Sequence, residues 1–235
     1  MGAEHVALVT GAAQGIGAAI AARLARDGWR VIAADRDGPG PAPPGGRAVG
    51  CDVTDPAAVA ALAVAVTAAE GRLDGLVSNA GIMIRKPIAA LGLHEWNAVL
   101  ATNLTATFLL ARGFAPLLAQ ARGAIVTIAS TRAHMSEPDT EAYAASKGGL
   151  VALTHTLAIS LGPAVRVNAI SPGWIATKGP PPRPEDHADH PAGRVGRAED
   201  IAALAAWLLG PESGFVTGAE FLADGGMTRK MIYRE

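Results

Sequence analysis

Tyr143 and Lys147 stand four residues apart in "YAASK", inside the Ala/Leu-rich stretch "AYAASKGGLVALTHTLAISLG", which predicts a long helix. Residues four apart share one helix face. A free tyrosine titrates near 10, and an ammonium held beside it favours the phenolate. The pair therefore has the makings of a proton-transfer site. Other chemistries find less support. The six histidines, His5, His94, His134, His155, His187 and His190, show no metal-ligand spacing joined to cysteine or carboxylates, so no metal is expected. Ser130 lacks the G-x-S-x-G elbow of a hydrolase nucleophile. The lone Cys51 has no motif around it and reads as packing near a strand end.

A second group of residues suits a phosphate. In "VTGAAQGIGAAIA", Gly11, Gly15 and Gly17 follow a T-G-x-x-x-G-x-G pattern, with Gln14 and Ile16 between them. Glycines permit a tight turn and close backbone approach to a pyrophosphate seated on the following helix N-terminus. The apolar run before this turn and the helical pattern after it are the context the motif requires. Asp35 ends the next apolar run, eighteen residues after Gly17. There its carboxylate can accept hydrogen bonds from an adenosine ribose, and its charge repels a 2′-phosphate. The expected cofactor is NAD. Arg36 is the one neighbour that could pair with a phosphate, and Gln14, uncharged, offers it nothing.

These groups need a scaffold, and the pattern supplies one. Short β-rich runs alternate with Ala/Leu-rich helical stretches. Strands are expected at "HVALVT", "WRVIAAD", "RAVGCDV", "DGLVSNA", "GAIVTIAS", "AVRVNAISPG" and "EFLADGG". Helices are expected at "GIGAAIAARLARDG", from about Asp55, at the Tyr143 stretch and at "AEDIAALAAWLLG". Such alternation predicts an α/β fold, a doubly wound parallel sheet of about seven strands with helices on both faces. "RDGPGPAPPGGR" between the second and third strands is too rich in Gly and Pro for a helix. A loop is expected there, leaving that flank less covered.

The 235 residues suit a single domain spanning 1–235,. Half are apolar and 17% charged, and net charge is −1 without a basic block. Disorder and nucleic-acid binding are not expected. The N-terminus shows no signal-peptide pattern. The longest apolar run read from the sequence, Pro56–Ala69, is short of the roughly 20 residues of a membrane span. A cytoplasmic protein is expected, as a single cysteine also suggests.

The motifs together resemble the short-chain dehydrogenase/reductase family. "TGAAQGIG", "CDVTD", "SNAG", "NLTATF", the serine of "IVTIAS", "YAASK", "NAISPGWIAT" and "GAEFLADGGMT" occur in the family's order over nearly the whole chain. The resemblance implies a Rossmann-like sheet and hydride transfer between NAD(H) and a secondary alcohol or carbonyl, with Tyr143 as general acid/base. By the same resemblance Asp52 and Val53 hold the adenine, and Asn79, Ala80 and Gly81 lie under the ribose. Pro172, Gly173, Ile175 and Thr177 cover the nicotinamide, Lys147 holds the nicotinamide ribose, and Ser130 orients the substrate oxygen. Asn103 positions a water behind the lysine. Ser78 stands where the family usually has another asparagine. With the nicotinamide and lysine charges both acting, a fall of roughly 3 units in the Tyr143 pKa would correspond to about 4 kcal/mol. The alternative is an NADP-dependent carbonyl or 3-oxoacyl reductase of the same family, and a non-catalytic dinucleotide-binding protein stands further off.

"TKGPPPRPEDHADHPAGR", 177–194, falls where relatives carry a substrate lid. It is too short and proline-rich for two helices, so a short, partly extended lid is expected. Ile82, Arg132, His134, Glu141, Trp174 and members of this stretch are candidate pocket residues, and their mixture of charge and aromatic surface leans toward a small polar alcohol or ketone such as a polyol, sugar or hydroxy acid. The resemblance implies a homotetramer or homodimer through the Tyr143 helix. The tail "MTRKMIYRE" is expected to fold over the pocket or to reach a neighbouring subunit.

Overall fold

The computed structural model describes residues 5–38, 40 and 42–231. Seven strands form one sheet. They are β1 (Val6–Thr10), β2 (Arg30–Asp35), β3 (Arg47–Gly50), β4 (Gly75–Ser78), β5 (Ala124–Ile128), β6 (Arg166–Pro172) and β7 (Glu220–Ala223). All neighbours pair in parallel, in the order β3-β2-β1-β4-β5-β6-β7. The order reverses at β1, and the crevice beyond the carboxyl ends of β1 and β4 is the place where such sheets bind ligands.

The strands are apolar on both sides because both faces are covered. On one face Leu8, Ile32, Leu76 and Ile125 pack against α2 (Pro56–Glu70) and α4 (Ala106–Ala121). On the other, Ala7, Val9, Val31, Val77 and Val126 meet α1 (Gly15–Arg26) and α7 (Ala198–Leu209). Burying one Leu or Ile in this way contributes about 1.5–3 kcal/mol. The α2 helix is fixed at both ends. Asp55 accepts from the Ala57 amide at 2.8 Å, Pro56 opens the first turn, and Gly71 closes it at φ +66°,. Between β2 and β3 the described residues carry no helix, and β3 is only half-buried. Pro39, Pro41 and residues 1–4 and 232–235, which include the chain ends considered above, lie outside the described residues.

The longest apolar helical stretch is not Pro56–Ala69 but Leu93–Ala121. It comprises α3 (Leu93–Leu100), a π-helical turn at Ala101–Thr105, and α4. Asn97, Thr102, Asn103, Thr105 and Arg112 interrupt the pattern in the sequence. By length and composition alone this stretch could cross a membrane. Its Leu109, Leu110, Phe114, Leu117 and Leu118 are instead buried in the core.

Candidate active site

The turn after β1 is built as its glycines require. Gly11 and Gly15 have φ of +63° and +59°, a region side chains rarely adopt. A Cβ on Gly17 would lie 2.2 Å from the Gly11 carbonyl oxygen. Asn79 braces the turn from β4. Its amide nitrogen Nδ2 donates to the carbonyls of Thr10 and Gly11 at 2.9 and 3.1 Å. The Thr10 hydroxyl accepts from the Asn79 and Ala80 amides at 3.0 and 3.2 Å. The N-A-G segment is thus a strut for the turn as well as part of the cleft wall.

A cleft of about 660 Å³ opens over this turn, within the range of small-molecule sites. Gly11, Gln14, Ile16, Asp35, Arg36, Asp52, Val53, Asn79, Ala80 and Gly81 line one part. Ser130, Tyr143, Lys147, Pro172, Gly173, Ile175 and Thr177 line the rest. Gly15 and Gly17 shape the turn without lining the cleft, and Asn103 lies behind the wall. Asp37, Cys51, Thr54, Met83, Thr102 and Lys178 also line it, and none of them is named individually as a site residue from the sequence. Of the candidate pocket residues, Ile82 lines this cleft, as do Thr177 and Lys178 of the proline-rich stretch. Arg132 and His134 sit on the loop beside it, Glu141 opens α5 (Glu141–Leu161), and Trp174 is 46% exposed on the strand-to-lid segment.

At the adenine side, Asp35 accepts from the Ala13 amide at 3.0 Å and the Asp37 amide at 3.3 Å. Arg36 is engaged by Asp37, Nε to Oδ1 at 3.0 Å, and that carboxylate holds its pKa up. Asp52 accepts from the Thr54 hydroxyl and amide at 2.7 and 2.9 Å, which holds its carboxyl below the usual range. Burial, with Asp52 and Asp55 nearby, pushes the Cys51 thiol up.

At the other side, Ser130 ends β5 and Tyr143 and Lys147 rise from one face of α5. The Lys147 ammonium lies 5.6 Å from the Tyr143 ring centroid and donates to the Ile128 carbonyl at 2.7 Å. Asn103 sits in the π-helical turn, a distortion frequent at functional sites. It clasps Ile82 from both sides, Oδ1 accepting from its amide at 2.8 Å and Nδ2 donating to its carbonyl at 2.9 Å. Nδ2 also donates to the Ser146 hydroxyl at 3.0 Å.

The protein's own groups act on the Tyr143 pKa apart from any nicotinamide charge. Burial pushes the phenol up, and the groups opposing it are the Ser130 hydroxyl and then the Arg132 charge, not Lys147. Lys147 is itself brought from 10.5 to about 8 by burial. With that value the ammonium is still mostly protonated at pH 7.

The 177–194 segment carries one short helix, α6 (Pro184–Ala188), between extended stretches. Residues 177–181 are exposed. The far half is docked, with the Ala192 amide donating to the Gly225 carbonyl at 2.9 Å. His190 is 3% exposed, and its Nδ1 meets the Asp186 carbonyl at 2.9 Å. His187 Nδ1 accepts from the Val195 amide at 3.1 Å. Lys230, from the tail, reaches the Asp189 carbonyl at 3.4 Å.

A family model described as enoyl-(acyl carrier protein) reductase matches residues 11–228. The chain is 46% identical over 251 residues to an uncharacterized oxidoreductase of Thermotoga maritima, covering 98% of each. It is 40% identical over 242 residues to the D-threitol dehydrogenase of Mycolicibacterium smegmatis, covering 96% of this chain and 93% of that protein. Among solved structures, the ligand-free aldohexose dehydrogenase of Thermoplasma acidophilum superimposes with a TM-score of 0.93 at 30% identity, covering 99% of this chain and 97% of that one.

Proposed function

Because the chain belongs to the short-chain dehydrogenase/reductase family, we propose that it is an NAD-preferring oxidoreductase in which Tyr143 is the general acid/base. The reaction class is hydride transfer between a nicotinamide cofactor and a CH–OH or carbonyl carbon. The cofactor supplies the hydride chemistry; the protein supplies orientation and the proton path. One observation carries the division of labour. Ser130, Tyr143 and Lys147 converge in the same cleft as the glycine turn. Ser130 holds the substrate oxygen and Tyr143 exchanges its proton. Lys147 holds the nicotinamide ribose, with Asn103 behind it fixing the Ile82 wall.

Preference for NAD is supported by charge. Asp35 and Asp37 both line the cleft, and Arg36, a cation able to hold a 2′-phosphate, is paired with Asp37. A small polar substrate is supported by the relatives, one named for a polyol and one for an aldohexose. Segment 177–194 is the lid, hinged at its exposed first half. Assembly into dimers or tetramers is supported by exposed Phe108 on α4 and Ile159, 83% exposed, on α5. A panel of secondary alcohols with NAD and with NADP, followed by reduced-nicotinamide absorbance, tests the reading. Absence of turnover with either cofactor would sink it, and faster turnover with NADP would overturn the cofactor preference.

A further inference from the structure

We propose that Arg132 is an anion anchor: the alcohol oxidised in this site carries a carboxylate, which the Arg132 guanidinium takes while Ser130 and Tyr143 hold the hydroxyl. The assignment rests on the oxidoreductase reading above and deepens it to a substrate class, the hydroxy acids.

Arg132 is tied to the reacting end by its backbone. It sits in the single turn Thr131–Ala133 that follows Ser130, and its amide donates to the Ser130 hydroxyl at 3.2 Å. Its charge acts on the Tyr143 phenol. The side chain is clamped from one side only. Nη2 forms an ion pair with Glu137. Glu137 is shared with Arg85, which follows the cleft residues Ile82 and Met83 by two or three positions. The Lys86 amide donates to the Asp139 carbonyl at 3.2 Å, joining the two loops. Lys86 itself is neutralised by Glu95. Two guanidinium groups on one carboxylate leave a surplus positive charge beside the cleft.

The second half of the Arg132 fork is open. Nη1 is sealed from solvent and has no hydrogen-bond partner, although the side chain as a whole keeps 22% of its surface exposed. A buried charged donor without an acceptor is costly, and native proteins keep few of them. Glu220, the acid that reaches the same loop from β7, cannot serve, because His134 and Ser171 hold it. A planar guanidinium is matched by the two oxygens of a carboxylate, entering from the exposed side with a small swing of the side chain. A neutral polyol would leave the surplus charge uncompensated.

The test uses matched pairs: 3-hydroxybutyrate and 4-hydroxycyclohexanecarboxylate, each against its methyl ester, with threitol as a neutral polyol. For the wild-type protein kcat/KM should favour each acid over its ester. In Arg132→Gln that acid-to-ester ratio should fall about 50-fold, the scale of one charge-assisted hydrogen bond, and Arg132→Lys should keep part of it. NADH binding, followed by fluorescence, reports that each variant is folded. Equal use of acid and ester by the wild type overturns the carboxylate assignment while the oxidoreductase reading stands. So does a variant that loses acid and ester turnover in equal proportion, since Arg132 would then act through Tyr143 alone. Threitol oxidised in preference to both acids has the same consequence. No turnover of any of these alcohols with NAD or NADP overturns both.

Discussion

The two ends of the cleft are built on opposite plans. At the glycine turn several side chains that shape the wall are already paired within the protein. Asn79 and Thr10 lock the turn, Asp35 is tied to the Ala13 amide, and Asp52 is satisfied by Thr54. At the substrate end, buried polar atoms are left over. Arg132 Nη1 lacks a partner, and so does Nε2 of His190 in the lid. The first end holds an invariant part, a dinucleotide, and can be finished in advance. The second must accept what the cofactor end never meets, and its unpaired groups mark where recognition remains to be completed.

Tyr143→Phe probes the sharpest point of the second end. It removes the one hydroxyl that can exchange the substrate proton and leaves the glycine turn untouched. We expect kcat to fall by about 10³-fold or more, with NADH affinity, measured by fluorescence titration, within about twofold of wild type. Loss of cofactor affinity on the same scale as kcat would mean that the two ends are not separable.

Gly17→Ala tests the finished end. Its Cβ would sit 2.2 Å from the Gly11 carbonyl oxygen, with Asn79 Nδ2 at 2.5 Å. The turn cannot yield without breaking its strut. Overpacking of this kind costs about 1–3 kcal/mol, and dinucleotide affinity should drop beyond detection in the same titration. A variant that keeps tight NADH binding would show that the turn is softer than the comparison claims.

Asp35→Asn is a smaller change at the same end. It keeps an oxygen for the Ala13 amide and removes the charge. The NAD-to-NADP ratio of kcat/KM should fall about 10-fold, with Asp37 retaining some repulsion. An unchanged ratio would assign the cofactor preference to another group.

The difference between the ends also explains what the sequence could tell. Local backbone demands leave fixed signatures. Gly11 and Gly15 need positive φ, Gly17 needs the space, and Asp35 must end a strand, so the cofactor end was legible. The strand pattern was legible because both faces of the sheet are buried. The helix Leu93–Ala121 was not singled out, because the polar residues of its π-helical turn serve the site and break the apolar period. Asn103 shows why. Its side chain is spent on Ile82, twenty-one residues away. The ion pairs around Glu137 join loops brought together only by folding, and no spacing in the chain announces them. The part that burial plays at Tyr143 was not legible for a similar reason. Four residues of separation indicate proximity to Lys147, but desolvation depends on everything packed around both.

Lys147 connects the two ends, and replacing it has opposite signs for stability and function. Burial lowers its pKa from 10.5 to about 8. The unfolded chain therefore holds the extra proton between about pH 8 and pH 10.5, and stability rises with pH across that window. Below pH 8 the cost of the buried charge is present in full, at most about 3 kcal/mol for a shift of this size. Lys147→Met removes the charge and keeps the volume, but strips the Ile128 carbonyl of its donor, which returns about 1 kcal/mol. The net expectation at pH 7 is a gain of about 1–2 kcal/mol in unfolding free energy, seen as a higher Tm, together with loss of turnover. The Tm difference should shrink toward pH 10, where wild-type Lys147 is largely neutral. A variant less stable than wild type at pH 7 would show that the Ile128 hydrogen bond outweighs the buried charge, and that this residue belongs with the self-satisfied end of the cleft.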